Sequence, residues 1–225
     1  MHVHRQITAA RAVIASLALS LATTTLTTGC ANGSGSGSGP VAGPAQQPVP
    51  LPSADVVLDT GRLEPALPDR FSVPADVSQS RTRKAWDSHD TAICRSEQWP
   101  SAWCSQAVAF GLAAYTNARD QELSVRLISF PTAKAAEALF VGDGTGGEVG
   151  KNPPGDRIEG FEILADGSWE GRGFHARQGA VIASIKYTWK QGTNIPPDRL
   201  MAVTRMTVER IKQAQHGDVP SASAR

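Results

Sequence analysis

Three cysteines and five histidines are the side chains of this chain best suited to covalent or metal chemistry. Cys94 and Cys104, with His89 nearby, offer at most three ligands, whereas a structural zinc site needs four. Neither a C-x-x-C motif nor a histidine pair accompanies them. We therefore expect no metal site, and the chemistry open to the thiols is covalent: modification of Cys30, or a disulfide between the other two.

The first 29 residues have the organisation of an export signal, with basic residues at the start and no acidic residue before Asp55. The segment 12–26 is apolar or small throughout. Its roughly 15 residues are too few to span about 30 Å of hydrocarbon as a helix, but they suit the apolar region of a signal peptide. We predict a signal peptide over residues 1–29.

The residues around the first cysteine, Leu26-Thr27-Thr28-Gly29-Cys30, resemble the lipobox of bacterial lipoproteins, whose cysteine is diacylated and becomes the new N-terminus. The family prefers leucine where this chain has Thr27, and Leu26 stands one position early. The resemblance implies palmitate-type acylation of Cys30 and anchoring on the extracytoplasmic face of the cell membrane. Two acyl chains anchor stably because each buried methylene contributes about 0.8 kcal/mol. The alternative is a secreted protein cleaved near Gly29.

If Cys30 is lipidated, Cys94 and Cys104 are an even pair in an oxidising compartment, and we predict a disulfide between them. The bond would close a loop of about ten residues, which chain entropy values at roughly 2.5–3 kcal/mol.

Residues 31–54 alternate glycine with serine and then become rich in proline. They lack the large apolar side chains that offset chain entropy, so we predict that residues 30–54 form a disordered tether. It would hold a globular domain, residues 55–214, about 25–30 Å from the bilayer. Residues 215–225 are predicted to be a disordered tail.

The charge balance excludes one class of partner. Removing Arg5 and Arg11 with the signal leaves 20 basic residues against 21 acidic ones, and like charges form no block. A nucleic-acid binder would show a basic patch, so we expect no nucleic-acid partner.

Sequence patterns predict both strands and helices in the domain. Residues 66–74 are predicted to be extended, and residues 79–84 to form a loop or a poorly packed helix. The segment 102–115 is apolar nearly all round and follows Ser101 as N-cap, which predicts a buried helix. Strand periodicity covers residues 123–130, and a short helix from Pro131 to Val141 follows.

Three further patterns complete the predicted fold. Residues 142–155 are rich in glycine and proline and are expected to form a loop. Residues 168–189 form the clearest hairpin, turning at Gln178-Gly179. Pro196-Pro197 begins a helix that runs to about Gln213. The predicted fold class is α+β, a single domain with an antiparallel sheet flanked by helices.

The hairpin carries the candidate ligand-binding residues. Phe174 and Ala176 share a face with Val181, Ala183, Ile185, Tyr187 and Trp189, which predicts the core face. The opposite face carries the candidates Trp169, His175, Arg177 and Lys186, beside Gly171 and Gly173. Aromatic side chains next to glycines could hold a sugar ring or an extended peptide in a shallow groove. The alternatives are that a helix covers this face or that it is solvated sheet.

Nucleotide and hydrolase motifs are incomplete. Gly142, Gly144 and Gly147 spell G-x-G-x-x-G, but the dinucleotide fingerprint needs a strand before it and a helix after it. Gly150-Lys151 is followed by asparagine where a phosphate loop needs serine or threonine. No serine sits in a nucleophile elbow. A spatial constellation of His175, Ser184 and an acid stays open, but we expect neither enzymatic activity nor a cofactor.

The segments ALPDRFSVP, SFPTAKAAEALF and PPDRLMAVTRMTVERI, with the cysteine pair, are similar to uncharacterised actinobacterial lipoproteins. The domains of these proteins resemble the extracellular sensor domains of bacterial serine/threonine kinases. The resemblance covers residues 55–214 and implies a non-catalytic sensor or ligand-binding module of the cell envelope. Such sensor domains usually contain two disulfides, whereas this chain can form only one.

The expected partners are the membrane, through Cys30, and a cell-wall ligand or an envelope protein. An adaptor or structural envelope protein that acts through a protein partner is the alternative, and an envelope hydrolase is a third hypothesis.

Overall fold

An antiparallel sheet with helices on both faces forms the domain in a computed structural model. The structure describes residues 56–90, 92–93, 99–117, 120–140, 152–163, 168–193 and 196–225. The predicted signal peptide, Cys30, the tether, Cys94 and the glycine-rich motif at 142–147 lie outside the described residues. The described residues all belong to one compact unit, Val49–Arg225.

The sheet has six strands in the order β1-β2-β3-β6-β5-β4, and every neighbouring pair is antiparallel. The strand bounds are β1 Gln79–Asp87, β2 Ala109–Thr116, β3 Gln121–Ser129, β4 Arg157–Ile163, β5 Trp169–Gln178 and β6 Val181–Lys190. The fold class is therefore α+β with an antiparallel sheet, as the sequence predicts.

Two helices pack on the first face of the sheet: α1, Thr60–Ala66, and α4, Pro197–His216. Leu200, Val203, Thr207 and Ile211 of α4 are all buried, so this side of the helix faces the sheet. They share the larger apolar core with side chains of α1 and of the central strands, including Leu63, Val125, Ile185 and Tyr187.

Two short helices lie on the second face of the sheet: α2, Ser101–Gln106, and α3, Ala133–Leu139. Thr132 caps α3, because its side chain accepts a hydrogen bond from Ala135 N at 3.0 Å. The helices enclose a smaller apolar cluster that includes Trp103, Phe110, Ile128, Phe140 and Ile182.

The predicted helix over 102–115 is wrong for most of its length. The helix ends at Gln106, and Ala109–Thr116 is strand β2, seven of whose eight residues are buried. A short apolar run looks the same in a buried helix and in a strand that is covered on both faces. Ser101 is not the N-cap either, since α2 follows Pro100 without a side-chain cap.

Two segments before β2 also differ from prediction. Residues 79–84, predicted to be a loop or a poorly packed helix, belong to β1, whose mostly exposed, charged side chains suit an edge strand. The segment 66–74, predicted to be extended, instead begins with the last residue of α1, Thr60–Ala66, and contains a turn in which Ser72 N donates to Asp69 O at 3.1 Å. Asp59 caps α1 by accepting a hydrogen bond from Arg62 N at 2.9 Å.

The hairpin is confirmed with a shift of one residue at its turn. Gln178 pairs with Val181, so the two turn residues are Gly179 and Ala180. The predicted division into two faces holds, because Phe174 and Ala183 lie against the core of the first face.

The tail, for which the sequence predicts disorder, packs against the domain. Ala224 N donates to Ser72 O at 2.8 Å, and Ser221 N donates to Gln213 Oε1 at 2.8 Å. Ala222 and Ala224 also contact the larger core. The small residues of this segment let its backbone approach the domain closely, which its polar composition does not reveal.

Candidate functional site

The helices that the structure describes cover one end of the second face of the sheet. Helices α2 and α3 pack over the end where Phe110, Ile128 and Ile182 lie. Farther along the central strands the side chains become polar, and most of them keep intermediate exposure. We call this region the open face; it consists of Ser124, Arg126, Ser184, Lys186 and Thr188.

Strand register brings the residues of the open face together. Ser124 lies opposite Lys186, and Arg126 lies opposite Ser184. Residues directly opposite each other in an antiparallel pair have Cβ atoms about 4.5–5.5 Å apart. Two hydroxyl groups and two cationic groups therefore alternate within a small area at the centre of the sheet.

The four predicted ligand-binding residues share one face but do not form one site. Lys186 lies on the open face, and His175 lies at its border opposite Ser184. Trp169 and Arg177 are eight residues apart on β5, which corresponds to about 26 Å. Arg177 is at the helix-covered end, where its Nη1 lies 3.2 Å from Asp156 Oδ2.

The groove expected at Gly171 and Gly173 is filled. A Cβ atom at Gly173 would overlap the Phe161 ring, and a Cβ at Gly171 would lie 2.7 Å from Tyr187 O. The two glycines make room for β4 side chains and for close strand pairing. No space for a sugar ring remains at Gly173.

His175 lies in an aromatic environment at the edge of the open face. Its ring stacks on Phe161 with centroids 4.4 Å apart, and the Trp103 ring meets it edge-on at 6.0 Å. Trp103 Nε1 in turn donates to Leu139 O at 2.8 Å, so α2, α3 and β5 are joined here. These contacts give His175 a packing role in the smaller core.

A serine, a histidine and a glutamate lie side by side on neighbouring strands. Ser184 is opposite His175, and His175 is opposite Glu159. This is the composition of a hydrolase triad, but a triad also requires the acid to orient the histidine. Glu159 Oε1 instead accepts a hydrogen bond from Arg157 Nε at 3.0 Å. In this row the acid is engaged by Arg157, and the ring of His175 stacks on Phe161.

Metal binding finds no support within the described ranges, where no group of three or more His, Cys, Asp or Glu could hold an ion. Cys104 is half-buried beside the smaller core. Its predicted disulfide to Cys94 stays a prediction, because residues 94–98 are outside the described part of the chain.

A cavity of about 510 Å³ lies elsewhere, between α4, the tail and residues 152–155. Exposed side chains of α4 line it, among them Arg205 and Glu209. Because side chains of both charges line this cavity, it favours neither an anionic nor a cationic ligand.

Sequence reasoning missed Ser124 and Arg126. Both sit at polar positions of the predicted strand 123–130, which was the available signal. Their importance depends on the pairing of β3 with β6, about 60 residues away in the chain. No local pattern contains that pairing.

Comparison with known proteins finds a likeness in structure. No protein-family model and no curated protein matches the chain. The structure is similar to the crystal structure of the extracellular domain of PknH from Mycobacterium tuberculosis, with a TM-score of 0.49 and 13% sequence identity. The match covers 73% of this chain and 100% of that chain. That neighbour is the extracellular domain of a mycobacterial serine/threonine kinase.

Among the described helices, none is both long enough and apolar enough to cross a membrane.

Proposed function

We propose that this chain is a lipid-anchored, non-catalytic module of the cell envelope that binds a ligand on the open face. The observation that carries the proposal is the partial exposure of polar side chains at the centre of a sheet whose first face is buried under α1 and α4. Binding sites combine a rigid scaffold with a few convergent polar groups. The central strands β3 and β6 provide both.

Binding is favoured over catalysis because of the contacts of His175. A general base needs an orienting partner and hydrogen-bond reach to a nucleophile. The His175 ring is stacked on Phe161, and the neighbouring acid is held by Arg157. The same residues support a rigid border for a ligand site.

The site is tested by blocking it. Soluble cell-wall fragments are expected to raise the melting temperature of the wild-type chain, since a ligand at 100 times its Kd adds about 2.7 kcal/mol of stability. Thr188→Trp would place a ring on the open face and abolish this rise. Glu209→Trp, on the exposed side of α4, is the matched control and should keep it. A wild-type chain that shows no rise with any wall fragment contradicts the proposal.

A second candidate function is that of an adaptor that acts through a protein partner. The exposure of Phe71 favours it. Its side chain is 60% exposed, with the guanidinium groups of Arg70 and Arg225 at 4.5 and 5.8 Å from the ring centroid. Exposed aromatic and arginine side chains are enriched at protein interfaces.

Site-specific photo-crosslinking in cells separates the two candidates. A photoreactive residue at position 71 should capture a defined protein if the chain is an adaptor. A photoreactive residue at position 188 should capture a wall fragment if the chain is a ligand-binding module. Capture only at position 71 would favour the adaptor.

A further inference from the structure

The tail lies on the domain as an extended peptide lies on a protein that binds it. We propose that the surface beneath it is a peptide-binding site, which the chain's own residues 221–224 fill in cis. A protein partner that carries an extended segment with small side chains at alternate positions binds there by displacing the tail. We call this region the tail-binding surface; it consists of Ser72 and, on α4, of Arg210 and Gln213. It includes no residue of the open face, so the inference goes beyond the ligand-binding function.

Side chains of α4 bind the backbone of the tail. Gln213 Oε1 accepts hydrogen bonds from Ser221 N at 2.8 Å and from Ala222 N at 3.3 Å. Arg210 Nη1 donates to Ala222 O at 3.2 Å. Hydrogen bonds to the main chain give affinity for an extended peptide whatever its side chains are. Two side chains of one helix therefore recognise an extended backbone.

The side chains of the tail alternate between the domain and solvent. Ala222 and Ala224 are partly buried against the larger core. Ser221 and Ser223, between and before them, are exposed. This is the period of an extended strand, and the small inward side chains allow Ala224 N to donate to Ser72 O at 2.8 Å. The tail-binding surface therefore selects small residues at alternate positions of a peptide.

The connection between α4 and the tail leaves the tail free to detach. The helix ends at Gly217, whose φ of 81° is left-handed and whose N–H donates to Ala214 O at 3.1 Å. Residues 217–219 are exposed, and the Val219 side chain contributes little packing because it is 86% exposed. When the tail leaves, Arg210 keeps its hydrogen bonds to the carbonyls of residues 65–67. The binding groups thus stay in place for another peptide.

The tail ends beside the exposed ring of Phe71. Arg225 Nη2 donates to Arg70 O at 3.2 Å, and the Arg225 guanidinium lies 5.8 Å from the centroid of the Phe71 ring. Buried aromatic anchors carry much of the binding energy of protein interfaces. A partner that replaces the tail can therefore contact both the tail-binding surface and Phe71.

Peptide binding in trans tests the inference. In the purified full chain, the double variant Ala222→Asp/Ala224→Asp places charges at both inward positions and displaces the tail. The probe is a fluorescent peptide with the sequence of residues 218–225, and its anisotropy measures binding. The peptide should bind the double variant at least tenfold more tightly than wild type, because the wild-type tail competes at the high effective concentration that a short linker gives.

Two further peptides of equal charge locate the contact. One has aspartate in place of the inward residues Ala222 and Ala224, and it should not bind. The other has aspartate in place of the outward residues Ser221 and Ser223, and it should bind as the parent peptide does. Equal binding by these two peptides overturns the inference, because the surface would then not distinguish inward from outward positions.

Variants of Gln213 test the recognition of the backbone. In the chain with the displaced tail, Gln213→Met removes the oxygen that accepts two peptide N–H groups and should weaken peptide binding roughly fivefold or more. Gln213→Glu is the matched control, because it keeps an acceptor oxygen, and it should bind within about twofold of its parent. If the double aspartate variant does not fold, Ala224→Pro releases the tail instead, since it removes the N–H that bonds to Ser72 O.

Failure of this inference can be distinguished from failure of the proposed functions. Loss of hydrogen-exchange protection at the amide of residue 224 shows that the double variant has released its tail. If the parent peptide does not bind that released chain, or binds it no better than wild type, the peptide-binding site is refuted. Capture of a defined protein at position 71 in the same case leaves the adaptor function standing without this site. The ligand-binding function is decided separately, by wall fragments and the Thr188→Trp variant.

Discussion

At Gly173 the absence of a side chain allows the neighbouring Phe161 ring to fill the surface of the sheet. Its Cα lies beneath the Phe161 ring, and Ile185 O would be 2.7 Å from an added Cβ. The same glycine that suggests a groove in the sequence therefore allows β4 to pack across β5. Phe161, only 9% exposed, occupies the space.

Gly173→Ala is expected to destabilise the domain by about 1–3 kcal/mol, because overpacking forces a buried ring and a paired backbone apart. Gly111→Ala is the control. Its Cβ would meet only Leu67 side-chain atoms at 3.3 Å, which can shift, so the change should stay within about 1 kcal/mol. Urea unfolding of both variants measures the difference, and equal stabilities would contradict the packing described for Phe161.

Asp69 is held in its charged form at the end of α1. Burial acts to raise the pKa of Asp69, but hydrogen bonds from the backbone and the nearby Arg210 charge together lower it. Its Oδ1 accepts from Phe71 N at 2.8 Å and from Ser72 N at 2.9 Å. Beside it, burial raises the pKa of Tyr115 to about 12, and its hydroxyl donates to Pro68 O at 2.5 Å.

The lowered pKa of Asp69 predicts a loss of stability in acid. A carboxyl with a depressed folded-state pKa stabilises the fold fully above its ordinary value of 3.8, and the contribution is lost as the pH falls through the lowered value. Asp69→Asn should therefore be destabilising at neutral pH, and its difference from wild type should shrink in acid. Asp218→Asn, at an exposed position in the tail, should track wild type. Unfolding free energies measured from neutral pH downward check this; a constant difference would refute it.

At the scale of elements, Arg210 joins α4 to α1 and to the tail. Its guanidinium donates to Pro65 O, Ala66 O and Leu67 O at 2.9, 3.3 and 3.1 Å, and to Ala222 O at 3.2 Å. The last carbonyls of a helix have no partners within it. One buried side chain thus satisfies the end of α1 and fixes the tail.

Arg210→Met should lower the free energy of unfolding by about 2–3 kcal/mol, since buried carbonyls lose charged donors. Arg205→Met, on the exposed side of the same helix, should change it by less than about 0.5 kcal/mol. Hydrogen exchange adds a local readout: the Ala224 amide, which bonds to Ser72 O, should lose protection in the first variant only. Unchanged protection would show that the tail docks without Arg210.

At the scale of the whole molecule, the proposed anchor decides where the open face is displayed. A diacylated Cys30 would keep the domain at the membrane, and a tether of about 25 residues would let it reach roughly 25–30 Å from the lipid surface. A wall-facing ligand site is consistent with this placement.

Cys30→Ser is expected to release the chain from the membrane fraction of cells, because the acceptor of the acyl chains is gone. Cys104→Ser is the control and should remain in the membrane fraction. Intact mass measurement of the wild type should find the N-terminal cysteine with two or three acyl chains. A Cys30→Ser chain that still fractionates with membranes would contradict the anchor.

Local signals were sufficient for several elements. The alternation in β3, the short helix α3 after Pro131, the hairpin of β5 and β6, and the proline start of α4 each arise within a few residues. The structure confirms all four, with small shifts at their ends. Of the candidate ligand-binding residues, only Lys186 lies on the open face, because a shared face does not bring together residues far apart along a strand.

The sequence by itself determined the fold class, the alternation of faces in the hairpin and the two helices that follow Pro131 and Pro196. Only the tertiary structure decided that the apolar run 109–116 is a strand, that the charged segment 79–87 is the sheet edge, and that Arg126 and Lys186 occupy diagonal positions on neighbouring strands. The first group depends on neighbours in the chain. The second group depends on which strands pair and on which elements cover them. Such long-range contacts produce no periodic pattern of residue types in the sequence.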